Sequence, residues 1–203
     1  MKLLAATNNA GKIKELKELL AEFPIALGGL GDFENIVEPE ETGATFAENA
    51  ELKATSYALQ TGCWTLSDDS GLEVEALNGA PGVYSARYGG KAATDAERIG
   101  KLLGELAATG DEPRRARFVC VMALADETGA IRFAAEGTCN GRIAARPAGA
   151  NGFGYDPIFV PDGFDQTFGE LSSDTKGKIS HRARAIRKIM RYLRTFTAIE
   201  LDQ

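Results

Sequence analysis

Three observations predict an α/β fold. A short apolar run at residues 2–6 gives way to the polar turn Thr7-Asn8-Asn9 and then to a helical-period apolar stripe, so a strand, a turn and a helix follow one another at the start. Thr45-Phe46-Ala47-Glu48 and Thr94-Asp95-Ala96-Glu97 both fit the capping box, each ahead of a segment suited to a helix. Two long apolar runs, 117–126 and 130–139, flank Glu127-Thr128-Gly129 as a hairpin would.

The elements follow in order. Residues 10–23 place Ile13, Leu16, Leu19, Leu20 and Phe23 on one helical face, and Pro24 stops them. An irregular acidic stretch, 28–43, carries Asp32, Glu34, Glu38, Glu40 and Glu41. A helix then runs from the first capping box to about Thr61, where Gly62 ends it. Residues 63–67 read as a strand that delivers Asp68 and Asp69 at its end, before a Gly/Pro-rich loop. Ile99, Leu102, Leu103 and Leu106 form the stripe of the next helix. After the hairpin come a glycine-rich loop into an apolar segment at 151–160 and a last helix from about Ser180, with Ile186, Ile189, Met190, Leu193 and Phe196 inward. With no linker or repeat in view, residues 1–203 read as one domain.

Composition narrows the class. No apolar run is long enough for a membrane span, and the N-terminal one is too short for a signal peptide, so a cytoplasmic protein is expected. Three widely spaced cysteines and one histidine argue against structural zinc or a disulfide framework. The net charge of −6 speaks against general nucleic-acid binding. The charge is uneven, however: eight lysines and arginines and no acidic residue lie between Lys176 and Arg194, which suits either a local anionic partner or a solvated helix face.

Four constellations carry possible chemistry. Thr7, Asn8, Asn9, Ala10, Gly11 and Lys12 place a lysine and free first-turn N–H groups at a strand-to-helix turn, which suits an anion; plain helix capping by Asn8 or Asn9 is the simpler alternative. Glu40-Glu41 and Asp68-Asp69 offer hard oxygen ligands of the kind Mg²⁺ takes, and two adjacent carboxylates at a strand end cannot both face a core. In Gly152-Phe153-Gly154-Tyr155-Asp156, the aromatic rings suit stacking on a nucleobase or packing in a core. His181 and Arg182 follow Lys176 and Lys178, a cationic setting for an anion or a carbonyl group.

Together TNNAGK, EETGATFAENAELKA, SDDSGLEVEALNGAPGVYSARYGG, FGYDPIF and KGKISHR resemble, in order, the signature blocks of the Ham1/inosine triphosphate pyrophosphatase family. The resemblance spans Thr7 to Arg182, with Asn8 where many members have glycine. It implies an elongated mixed sheet flanked by helices, with two lobes around a substrate cleft, and usually a homodimer. It also implies Mg²⁺-dependent hydrolysis of inosine, deoxyinosine and xanthosine triphosphates to monophosphate and pyrophosphate, which keeps such nucleotides out of DNA and RNA. Carried over by position, residues 7–12 would hold the triphosphate, with Lys53 as a further contact. Asp69 would accept a proton and bind metal together with Glu40, with Glu41 as the alternative to Glu40 and Asp68 as the alternative to Asp69. Ser70, Phe153, Gly154, Tyr155, Asp156, Lys176, His181 and Arg182 would touch substrate. A pyrophosphatase for other nucleotides, a nucleotide sensor and a nucleic-acid module on the basic helix are the rival expectations.

Overall fold

The N-terminal strand β1 (Lys2–Ala5) lies between two parallel neighbours, β2 (Ala26–Gly29) and β3 (Thr65–Val74). The computed structural model describes residues 2–90, 92–110 and 113–201, and side chains up to 195; Phe196 therefore lies outside the described side chains. Between β1 and β2 runs α1 (Ala10–Leu20), and α2 (Phe46–Thr61) precedes β3. Then come α3 (Asp95–Ala108), the hairpin strands β4 (Arg115–Ala125) and β5 (Ile131–Ile143), β6 (Phe159–Pro161), α4 (Ser173–Ile179) and α5 (His181–Leu201). Among the described residues the six strands form one sheet in the order β2-β1-β3-β4-β5-β6, with β5 and β6 antiparallel. Parallel and antiparallel pairs in one sheet with helices make the mixed α/β architecture that was expected.

The chain divides into two units, each with its own core. The first comprises residues up to Asp69, Cys120–Gly137 and Arg182 onward. Its core packs Leu3, Leu66, Cys120, Met122 and Leu124 of the strands against Leu16 and Leu20 of α1 and Ile186, Ile189 and Leu193 of α5. The second comprises Ser70–Val119 and Thr138–His181; Leu72, Ile99, Leu102, Phe118, Phe159 and Phe168 are central to its core.

Helix starts follow the capping chemistry. Thr45 and Thr94 each accept the N–H of the glutamate three residues on, and that glutamate accepts back from the cap. Gly62 closes α2 at φ +62°, a left-handed conformation that only glycine takes without strain. α1 stops at Leu20, three residues before the stripe ends at Phe23, whose ring still packs on the core. α4 is an element without sequence warning: seven residues with no apolar stripe, started by Ser172 accepting the Thr175 N–H.

One expectation needs correction. The strand carrying the adjacent aspartates does not end at Ser67 but continues through Asp68, Asp69, Ser70 and Gly71 to Val74. Asp-Asp-Ser-Gly reads locally as turn chemistry, yet here strand pairing and charge partners on both faces outweigh it. Adjacent strand residues point to opposite faces, so both carboxylates are buried, Asp68 at 2% and Asp69 at 7% exposure.

Because α2 carries Lys53 and Asn49 to Asp69, its N-terminal cap matters to the site. Thr45→Ala is expected to lower stability by about 1 kcal/mol while Thr45→Ser changes little; urea unfolding of both variants checks this.

Candidate active site

In the first unit the site is built on Asp68 and Asp69. Asp68 is surrounded by donors: Lys12 Nζ lies 2.5 Å from Oδ1, Arg182 Nε donates to Oδ2 at 2.7 Å, and the Cys120 thiol donates to the same oxygen at 3.1 Å. Arg182 is 1% exposed and also pairs with Glu15 of α1. Burial would push the Asp68 carboxyl up, but Arg182 and Lys12 together hold it well below the usual carboxylate range. Burial pushes the Cys120 thiol far up, with the Asp68 charge adding to it, so it serves as a donor.

Asp69 turns to α2. Lys53 Nζ donates to its Oδ1 at 2.9 Å and to Glu41 Oε1 at 2.6 Å, while Asn49 Nδ2 donates to its Oδ2 at 3.4 Å. Asn49 Oδ1 accepts the Gly43 N–H at 2.8 Å, which ties the 40–43 loop to the aspartate. A Cβ on Gly43 would stand 2.6 Å from that Asn49 oxygen, so close approach explains the glycine. Burial pushes the Asp69 carboxyl above its ordinary value, and the nearby Lys53 and Lys12 offset only part of that. Burial works against the Lys53 charge, but Asp69 and Glu41 outweigh it and raise its pKa. Lys12 and Lys53, from different helices, both donate to the Asp68 carbonyl oxygen, at 3.2 and 3.0 Å.

The N-terminal turn behaves in part as simple capping. Asn9 is the N-cap and its side chain accepts the Lys12 N–H at 3.0 Å, Thr7 Oγ1 accepts the Asn9 N–H, and Asn8, Asn9 and Ala10 are exposed beside half-buried Gly11. Lys12 itself turns inward to Asp68. Glu40 is exposed, and it is Glu41 that shares a cation with Asp69.

A separate cluster lies within the second unit. The buried Asp156 carboxylate pairs with Lys176 and accepts the Phe153 N–H at 2.8 Å. Lys176 Nζ lies 5.1 Å from the centroid of the half-buried Phe153 ring and 5.4 Å from that of Phe168. Gly152 at φ +74° abuts Asp156 so closely that a Cβ would meet its oxygen at 1.9 Å. Tyr155 is a core residue whose hydroxyl donates to the Ser85 carbonyl at 3.0 Å, so of the two candidate stacking rings Phe153 is the one near a surface. His181 is buried with its ring stacked on Phe118 at 4.6 Å, and Ser70 is half-buried on β3. Glu15 lies outside the segments that carry the family resemblance, whereas Glu41 and Asn49 lie within one of them without any sign of their pairing with Lys53 and Asp69.

In the first unit a buried carboxylate beside two lysines focused on one carbonyl oxygen suits chemistry on a phosphate. In the second unit a lysine beside an aromatic face suits a flat polar ring. Comparison with known proteins defines the class. The model of the Ham1 family matches residues 3–192, and the chain belongs to that family. It is 49% identical over 193 residues to a dITP/XTP pyrophosphatase of Desulforamulus reducens, covering 95% of this chain and 96% of that one. A HAM1 protein from Coxiella burnetii has a similar structure, with a TM-score of 0.87 at 44% identity over 96% of this chain and 99% of the other. The Staphylococcus aureus Ham1 protein gives 0.84 at 42% over the same shares. Among the described residues no helix is long and apolar enough to cross a membrane.

The depressed pKa of Asp68 has a defined consequence. Its pairing stabilises the fold fully above the unfolded carboxylate pKa and is lost as pH falls through the lower folded value. Asp68→Asn is therefore expected to destabilise the protein at pH 7 and to flatten the acid limb of its stability profile. Denaturant unfolding between pH 3 and pH 7, on the order of this window, reads both.

Proposed function

We propose that this chain is a metal-dependent nucleoside triphosphate pyrophosphohydrolase that converts dITP- and XTP-type purine nucleotides to the monophosphate and pyrophosphate. The observation that carries the mechanism is the Asp69–Lys53–Lys12 arrangement: a buried carboxylate paired with one of two ammonium groups that meet at one backbone oxygen. Support for the substrate class comes from relatives named for dITP and XTP that match over nearly the whole chain.

The donor set fits a hard cation. Among the described residues no group of three His, Cys, Asp or Glu side chains could enclose a metal by itself. One or two carboxylates are what Mg²⁺ ordinarily takes from a protein when phosphate oxygens and water complete its shell. Glu41 Oε1 and Asp69 Oδ1 already lie within reach of one cationic atom, Lys53 Nζ. Asp69 with Glu41 or Glu40 would hold Mg²⁺, while both oxygens of Asp68 are engaged by cations and donors. When bound, the metal would neutralise phosphate charge and make a bound water more acidic.

The chain's own residues do the rest. Lys12 and Lys53 hold the phosphates and stabilise charge on the departing pyrophosphate. Asp69, held by Lys53 and Asn49, orients the attacking water and accepts its proton. Phe153 offers a face to the base, and Lys176, already beside that ring, donates toward a 6-oxo group. Adenine presents an amine there and leaves the donor unmatched, a mismatch that can cost about 10⁴-fold in selectivity. A homodimer in the cytoplasmic nucleotide pool is the setting that the family resemblance implies.

Incubation with inosine, xanthosine, adenosine and guanosine triphosphates in ¹⁸O-water, with Mg²⁺ or chelator, tests this function. Monophosphate carrying the label plus pyrophosphate, fastest from the first two and abolished by chelator, is expected; diphosphate plus phosphate would place cleavage at the wrong bond. Asp69→Asn is expected to lower kcat by about 10²–10⁴-fold with the unfolding temperature retained, as steady-state kinetics and thermal unfolding would read.

A further inference from the structure

Beside the capping Glu97, the first turn of α3 carries Asp95 and Arg98, charged side chains that the chemistry above does not use. The Asp95 carboxylate divides its oxygens: Oδ1 pairs with Arg98 Nη2, and Oδ2 accepts the Gly154 N–H at 2.7 Å. Arg98 in turn donates through Nη1 to the Ala86 carbonyl. Gly154 stands at φ +60°, with nothing within 4 Å of where a Cβ would be. Its backbone conformation, not a lack of space, requires the glycine. On the other side of the ring, the Phe153 N–H is held by Asp156. Both amides that flank Phe153 are therefore fixed by carboxylates from different parts of the second unit.

We propose that Asp95, braced by Arg98, is a positioning residue for base recognition: by holding the Gly154 amide it sets the orientation of the Phe153 ring and its distance from Lys176. The inference rests on the function proposed above. A loop glycine in the left-handed region has many alternative conformations, and a half-exposed N–H loses little by turning to water. An ionised acceptor makes the bond about twice as strong as a neutral one. Asp95 is suited to stay ionised: burial would raise its pKa, but the Arg98 and Gly154 bonds outweigh that and lower it, and the N-terminus of α3 favours an anion. The ring needs this restraint because stacking on a base depends on its plane, whereas Lys176 is already fixed by its pair with Asp156.

Two measurements on Asp95→Ala, Asp95→Asn and Arg98→Ala test the role. The first is amide hydrogen exchange at Phe153 and Gly154 in the free protein. Asp95→Ala should speed exchange at Gly154 by about 10-fold or more, Asp95→Asn less because it keeps an acceptor oxygen, with the core amide of Leu102 unchanged. The second is kinetics with inosine and guanosine triphosphates. Asp95→Ala should raise KM for the inosine substrate about 10-fold with a smaller change in kcat, narrow the preference over guanosine, and be partly rescued in Asp95→Asn; Arg98→Ala should fall between. Unchanged exchange at Gly154, or wild-type KM and selectivity in Asp95→Ala, would overturn the proposal. So would a fall in kcat that tracks a lower unfolding temperature with KM unmoved, because that is a structural role only. If the wild-type protein turns over neither triphosphate, the proposed function has failed, and the exchange result alone decides whether Asp95 fixes the loop.

Discussion

A carboxylate buried in the middle of a strand constrains much of the first unit. Asp68 is 2% exposed, and an unpaired charge at such depth would cost several kcal/mol, on the order of what breaks a marginally stable domain. The fold must bring cations to it: Lys12 from the first turn of α1, Arg182 from the first turn of α5, and the Cys120 thiol from β4. Both helix starts are thereby placed relative to β3. Glu15 then balances Arg182, so the cluster holds two acidic and two basic side chains and buries no uncompensated charge.

The next residue along the strand has the opposite character. A pleated strand turns Asp69 to the other face, toward α2, where one lysine is shared between it and Glu41. The same burial therefore has two outcomes. Two cations on Asp68 outweigh desolvation and fix it as an anion, while a divided cation on Asp69 leaves desolvation ahead and its proton affinity raised. Adjacent carboxylates on one strand thus have their pKa values driven apart by what each face offers them.

How much of this the sequence disclosed follows from the range of each interaction. Thr45, Gly62 and Thr94 act on residues within a turn of themselves, and they predicted the starts of α2 and α3 and the end of α2. Asp68-Asp69-Ser70-Gly71 was misjudged because its local preference is a turn, and the partners that overrule that preference lie as far away as Arg182. α4 escaped notice because seven mixed residues leave no periodic stripe. Lys12 and Asp69 stand out in the sequence as an anion-suited turn and a hard-ligand pair, and Lys53 only through the family resemblance. Nothing in their spacing shows that two lysines 41 positions apart reach one carbonyl oxygen. The contacts of Glu15 with Arg182, Asn49 with Asp69 and Asp95 with Gly154 gave no signal because each joins residues distant in sequence.

Asp156 in the second unit repeats the logic of Asp68 on a loop. It is 2% exposed, it pairs with the buried Lys176, and it accepts the backbone N–H of Phe153. The difference is in what surrounds it. Asp68 organises packed helices that would be hard to displace, whereas Asp156 organises a glycine-rich turn, and one anchor cannot fix a segment with left-handed glycines on both sides of the ring. A second carboxylate acting on the adjacent amide removes that freedom without adding any group beside the ring. The turn that carries Phe153 is thus held through its backbone, at the amides on both sides of the residue, and its ring is left half-buried.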